Sequence, residues 1–220
     1  MQAFQYLRPM TDKMRTAEKL LQVGAVKLST HEPFTWASGW RSPIYCDNRK
    51  ILSHPYIRDY IKSELCNLIF QGFPEAHSIT GVATAGVPWG ALVADQLKLP
   101  FAYVRSAAKG HGLRNRIEGD ALVLHGTVVV EDLVSTGMSS LEVVTVLQEE
   151  GVEVQGLVSI FSYGFQLAER RFQEAGIPTH SLTDYAALIQ LAQSKGLVHQ
   201  EDNELLLKWR EHPDTWVGKV

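Results

Sequence analysis

Two adjacent carboxylates, Glu131 and Asp132, follow an apolar β-branched run, Val128-Val129-Val130. After them come Leu133 and Val134, then Ser135-Thr136-Gly137-Met138-Ser139-Ser140. The run reads as a strand, and residues 141–148 have helical spacing. The small hydroxyl residues and the glycine therefore occupy a strand-to-helix loop. Such a loop suits a phosphate. The hydroxyls of Ser135, Thr136, Ser139 and Ser140 can donate to its oxygens, as can backbone N–H groups in the first helical turn, where the helix dipole favours an anion. The plain scaffold reading is a buried strand followed by a helix cap. It leaves the paired carboxylates unexplained.

Carboxylates beside a phosphate repel it unless they face something else. Their natural partners are sugar hydroxyls, which donate, or a divalent cation bridging to phosphates. A ligand with a phosphate, vicinal hydroxyls and a magnesium-bound diphosphate uses every part of this segment, and phosphoribosyl diphosphate is such a ligand. A second cluster lies at residues 105–120. It lacks a periodic apolar face and gathers Arg105, Lys109, His111, Arg114 and Arg116 against Glu118 and Asp120. Long loops without their own structure are often active-site covers, although a solvated surface loop is the competing reading.

The segment 128–140 resembles the phosphoribosyl-diphosphate motif of type I phosphoribosyltransferases, with Met138 where many members have a second glycine. Arg105, Lys109 and His111 resemble the flexible catalytic loop of the orotate phosphoribosyltransferases. So does Ser38-Gly39-Trp40-Arg41-Ser42-Pro43-Ile44-Tyr45, which is similar to the N-terminal hood segment covering orotate in that family. The glycine-bearing turn Ala83-Thr84-Ala85-Gly86 adds weaker support, as a loop able to approach a diphosphate. Family members often carry lysine where this chain has Ala37, Ala85, and Ser106 or Ala107. Some place an orotate-contacting arginine within 161–164, where none stands here.

The resemblance implies that Arg105, Lys109, His111, Glu131, Asp132, Leu133, Val134, Ser135, Thr136, Gly137, Met138 and Ser139 bind phosphoribosyl diphosphate. It implies that Ser135 also contacts orotate and that Lys109 and Asp132 are catalytic. Magnesium is the implied cofactor, held mainly by the substrate diphosphate, with no dedicated protein ligand. The implied partners are orotate and phosphoribosyl diphosphate, in a homodimer whose loop residues are shared across subunits, with no nucleic acid or membrane. Two other readings compete: a phosphoribosyltransferase for a purine or uracil, and a non-catalytic sensor of phosphoribosyl diphosphate.

These residues need a frame. Apolar periodicity predicts helices after Thr11 and from Pro55, strands at 25–28, 78–82 and 101–105, and a helix at 88–98. Beyond them it predicts a central strand at 127–131, a helix at 139–150, a strand at 152–160, a helix at 166–175 and a strand at 179–182. Thr183 is expected to cap a helix at 184–194, and 201–211 to be helical. Trp36 and Tyr45 are candidates for core filling. Alternating strands and helices imply a mostly parallel sheet flanked by helices, with ligands beyond the carboxyl ends of the strands. The expected class is α/β of the type I phosphoribosyltransferase kind, with a hood segment and a flexible catalytic loop. The expected organisation is one domain over 1–220: a hood at about 11–50, a core at about 55–187, and a C-terminal helical extension at 188–220.

Composition bounds the rest. A chain of 220 residues with 45% hydrophobic and 20% charged residues can bury its own core. A net charge of −3 gives no general pull toward nucleic acid. Cys46 and Cys66 lack metal-ligand spacing and read as packed thiols. With no long apolar run and no secretory segment near Met1, the expected location is cytoplasmic.

Overall fold

The computed structural model describes residues 11–36, 38–106 and 116–217. Its centre is a six-stranded sheet built from β5 (Ser78–Val82), β6 (Phe101–Val104), β7 (Ile117–Glu118), β8 (Thr127–Val134), β9 (Val154–Ser162) and β10 (Thr179–Asp184). Their order across the sheet is β10-β9-β8-β5-β6-β7. Every neighbouring pair is parallel except β6 and β7. This is the expected α/β class, with a mostly parallel sheet flanked by helices.

A parallel sheet is covered on both faces, so its central strands are apolar on both. In β8, Val128, Val129 and Val130 are all fully buried. Because strand side chains alternate, Val128 and Val130 join one core and Val129 the other. The first core lies against α1 (Asp12–Gln22), α2 (Pro55–Gly72), α3 (Gly86–Leu97) and α6 (Tyr185–Ser194). The second lies against α4 (Met138–Glu149) and α5 (Gln166–Glu174).

Thr11 caps α1 by accepting from the Met14 amide at 3.3 Å, and Pro55 begins α2, where its missing N–H costs nothing. Two small sheets precede α2: β1 (Val26–Leu28) with β4 (Ile44–Cys46), and β2 (Phe34–Thr35) with β3 (Arg41–Ser42). They form the hood. A last helix, α7 (Asn203–Glu211), follows α6.

Several expectations are corrected. The central strand runs on to Val134, because residues 131–134 continue to pair with β9. Helix α3 begins at Gly86, ahead of Pro88. Thr183 is a buried strand residue, and Asp184 caps α6 by accepting from the Ala187 amide at 2.9 Å. Tyr45 is exposed, with its ring tilted against Phe34 at 5.8 Å. The short strands β2 and β7 carried no apolar period long enough to read.

Candidate active site

The site is assembled at the carboxyl end of β8. Glu131 is 5% exposed, yet its oxygens are partnered: one accepts from the Asp132 amide at 3.0 Å, the other from the Ser140 hydroxyl at 3.3 Å. Ser140 lies on α4, so Glu131 is tied to that helix. Asp132 is tied to the hood instead. Its carbonyl accepts from the Asn48 side-chain amide at 2.7 Å, and the charges of Arg49 and Asp47 act on its carboxylate. Asn48 is fully buried and also accepts from the Cys46 thiol at 3.4 Å.

Burial raises both carboxyls. Glu131 is pushed well above the ordinary range by burial first and by the adjacent Asp132 charge second. Asp132 is raised by burial, although hydrogen bonding to Glu131 opposes the rise. Glu131, the more deeply buried of the pair, therefore holds a proton more readily. Burial also keeps the Cys46 thiol and the Tyr163 hydroxyl protonated.

The phosphate-type loop follows directly. Gly137 precedes α4 with φ +75°, and no side chain caps that helix. Its first-turn amides are therefore left for a ligand. A Cβ at Gly137 would come within 2.9 Å of the Phe172 ring, so glycine is required by both conformation and space. Ser135, Thr136 and Ser139 lie in this turn and the start of α4, with Met138 exposed beside them. Ser140 is the exception to the expected donors, because its hydroxyl already serves Glu131. The loop is braced from α5, where Arg171 donates to the Thr136 carbonyl at 3.0 Å.

A cavity of about 530 Å³ adjoins the neighbouring strand ends, lined by Ala83, Thr84, Val87, Pro88, Tyr103, Arg105 and Ser106. Gly86 makes this approach possible. A Cβ there would lie 2.5 Å from the Val130 carbonyl oxygen of β8. Arg105 reaches Glu118 at 3.1 Å. Arg116 is 6% exposed and committed to structure. It donates to the carbonyls of Arg105 and Ser106 and pairs with Glu142 at 2.8 Å. It cannot substitute for absent loop lysines. Lys109, His111, Ala107 and Arg114, with Ala37 of the hood, lie outside the described residues.

The structure thus places Glu131, Asp132 and residues 133–139 on one continuous segment at the end of β8, with Arg105 just after β6, two strands away across β5. Asn48 and Arg171 escaped the sequence reading, because each reaches this segment through a side chain on another element. Ser140 was expected to donate to a phosphate and serves Glu131 instead. Among the described residues, no three His, Cys, Asp or Glu side chains gather into a metal-binding group, and no helix is long and apolar enough to cross a membrane.

Residues 50–180 match the phosphoribosyl transferase domain family. The orotate phosphoribosyltransferase of Bacteroides fragilis is 50% identical over 204 residues, covering 92% of this chain and 96% of that protein. That of Porphyromonas gingivalis is 49% identical over 200 residues, covering 91% and 95%. The crystal structure of orotate phosphoribosyltransferase from Aeropyrum pernix superposes with a TM-score of 0.71 at 28% identity, covering 83% of this chain and 99% of that one.

Proposed function

The chain belongs to the orotate phosphoribosyltransferase family, and from that membership we propose that it transfers ribose 5-phosphate from phosphoribosyl diphosphate to N1 of orotate. The products are orotidine 5′-monophosphate and diphosphate, a step of pyrimidine nucleotide biosynthesis. The observation that carries the reading is the joined pair of features at the end of β8. Two partnered, mostly buried carboxylates run without interruption into an uncapped helix start with a left-handed glycine.

Displacement at the anomeric carbon builds positive charge on the ribose ring and negative charge on the departing diphosphate. The protein's task is positioning and electrostatic stabilisation. Glu131 and Asp132 accept hydrogen bonds from the ribose hydroxyls, and Asp132 also lies beside the developing cation. The turn from Ser135 to Ser139 holds the 5′-phosphate, and Ser135 additionally contacts orotate. Arg105, Lys109 and His111 neutralise the leaving diphosphate, supplied across a homodimer as in the family resemblance. The cavity beside the Ala83-Thr84 turn has room for that group.

Magnesium would arrive on the diphosphate and be held mainly by the substrate's own oxygens, with no dedicated protein ligand, as the resemblance implies. Magnesium keeps several waters and favours phosphate oxygens with few protein ligands. When bound it neutralises diphosphate charge. The test is orotate consumption by the purified protein with phosphoribosyl diphosphate and magnesium. A panel of purine bases and uracil separates the competing specificities.

A further inference from the structure

The hood is too small to hold its own shape. Strands β2 and β3 have two residues each, and their sheet has no ladder to the central one. An isolated two-stranded hairpin is marginal in water even at greater length. What fixes it is α7, from the far end of the chain.

Trp209 of α7 is fully buried and donates its indole N–H to the Arg41 carbonyl of β3 at 3.0 Å. Its ring meets Trp36 of the hood edge-on at 5.9 Å, and Tyr163 and Phe165 beyond β9 at 5.7 and 5.5 Å. Trp36 in turn donates to the Ile44 carbonyl of β4 at 3.3 Å. A second tie lies just before α7, where Thr30 donates to the Asp202 carboxylate at 3.2 Å. Tyr185 anchors the other side by donating to the Leu206 carbonyl at 3.2 Å. Helix α7 therefore joins three elements: the hood, the end of β9 and α6.

The hood reaches Asp132 through Asn48, whereas the diphosphate-sized cavity is lined by no hood residue. We infer that α7 is a clamp on the hood and that Trp209 is a positioning residue for base binding, acting through Arg41 and Trp36. This rests on the reading above that the hood covers the base. Its signature is selective, because Trp209 holds Arg41 and Trp36, whereas the tie to Asp132 is made separately by Asn48 and stays in place when α7 is loosened.

The test compares the full chain with Trp209→Phe, which keeps a ring in the cluster and removes the N–H, and with Thr30→Val, which removes the second tie. Hydrogen exchange at the hood amides, such as Trp36 N–H to Trp40 O, is read beside the KM for each substrate. In either variant those amides should exchange about tenfold faster while amides of β8 keep their rates. The KM for orotate should rise about fivefold, the factor expected for one lost hydrogen bond, with the KM for phosphoribosyl diphosphate within about twofold of the parent. Hood amides at parental rates in a folded variant would overturn the clamp, as would equal rises in both KM values. If Trp209→Phe does not fold, Thr30→Val decides on the same readouts. If the parent does not consume orotate, the functional reading fails while the exchange measurement still judges the clamp.

Discussion

Asn48 donates its side-chain amide to the main-chain carbonyl of Asp132 at 2.7 Å, linking the hood to the strand end where the chemistry is assigned. Asn48 is fully buried and Asp132 half-buried, so removing the donor leaves the carbonyl poorly compensated. Asn48→Ala should destabilise the fold by about 1–3 kcal/mol and raise the KM for orotate. Urea denaturation and initial rates check the two effects. A variant with parental stability would show that this bond does not hold the hood.

Arg171 braces the phosphate loop from behind through the Thr136 carbonyl. A hydrogen bond from a charged donor contributes about 1.5–3 kcal/mol, so Arg171→Ala should raise the KM for phosphoribosyl diphosphate at least about tenfold. The KM for orotate should stay near the parental value. Steady-state kinetics with each substrate varied in turn separates the two.

Glu131 has a carboxyl raised well above its ordinary 4.5 by burial and by the neighbouring Asp132 charge. The folded state therefore favours the protonated form. The stability this group contributes is fully present below about pH 4.5 and is lost as pH rises through the raised folded value. Glu131→Gln keeps the acceptor for the Asp132 amide and removes the charge. Without substrates it should melt above the parent at pH 8, and the difference should shrink toward pH 4. Its turnover should fall about tenfold or more, because a ribose-hydroxyl acceptor is weakened. Thermal melts across pH and a rate measurement at pH 8 check both signs.

Gly86 sits where a Cβ would lie 2.5 Å from the Val130 carbonyl oxygen. Backbone, not a flexible side-chain tip, is the obstacle, so Gly86→Ala must push α3 away from β8. The expected cost is about 1–3 kcal/mol, with loss of phosphoribosyl diphosphate binding from the adjoining cavity. Calorimetric melting and titration with that ligand test it.

The strand-and-helix alternation was legible because the central strands are covered on both faces, leaving unbroken runs such as Val128-Val129-Val130 between turn residues. The carboxylate pair and the Ser135–Ser139 turn were legible because their chemistry sits on one continuous segment. Asn48 and Arg171 reach the site from other elements, and a hydrogen bond across 84 or 35 residues leaves no periodic trace. The end of β8 was read short because Asp132 looks like the start of the loop. Leu133 and Val134 beyond it still pair with β9, since backbone hydrogen bonding does not depend on side-chain polarity. Trp209 read only as part of a terminal helix, and its partners Arg41 and Trp36 lie at the opposite end of the chain.

The loss of orotate absorbance on mixing the purified protein with orotate, phosphoribosyl diphosphate and magnesium tests the proposed reaction most directly. Magnesium-dependent loss is predicted for the parent, reduced at least about 100-fold in Asp132→Asn, where stabilisation of the developing charge is removed. Undiminished turnover by Asp132→Asn, or no consumption of orotate by a parent that binds phosphoribosyl diphosphate tightly, would contradict it.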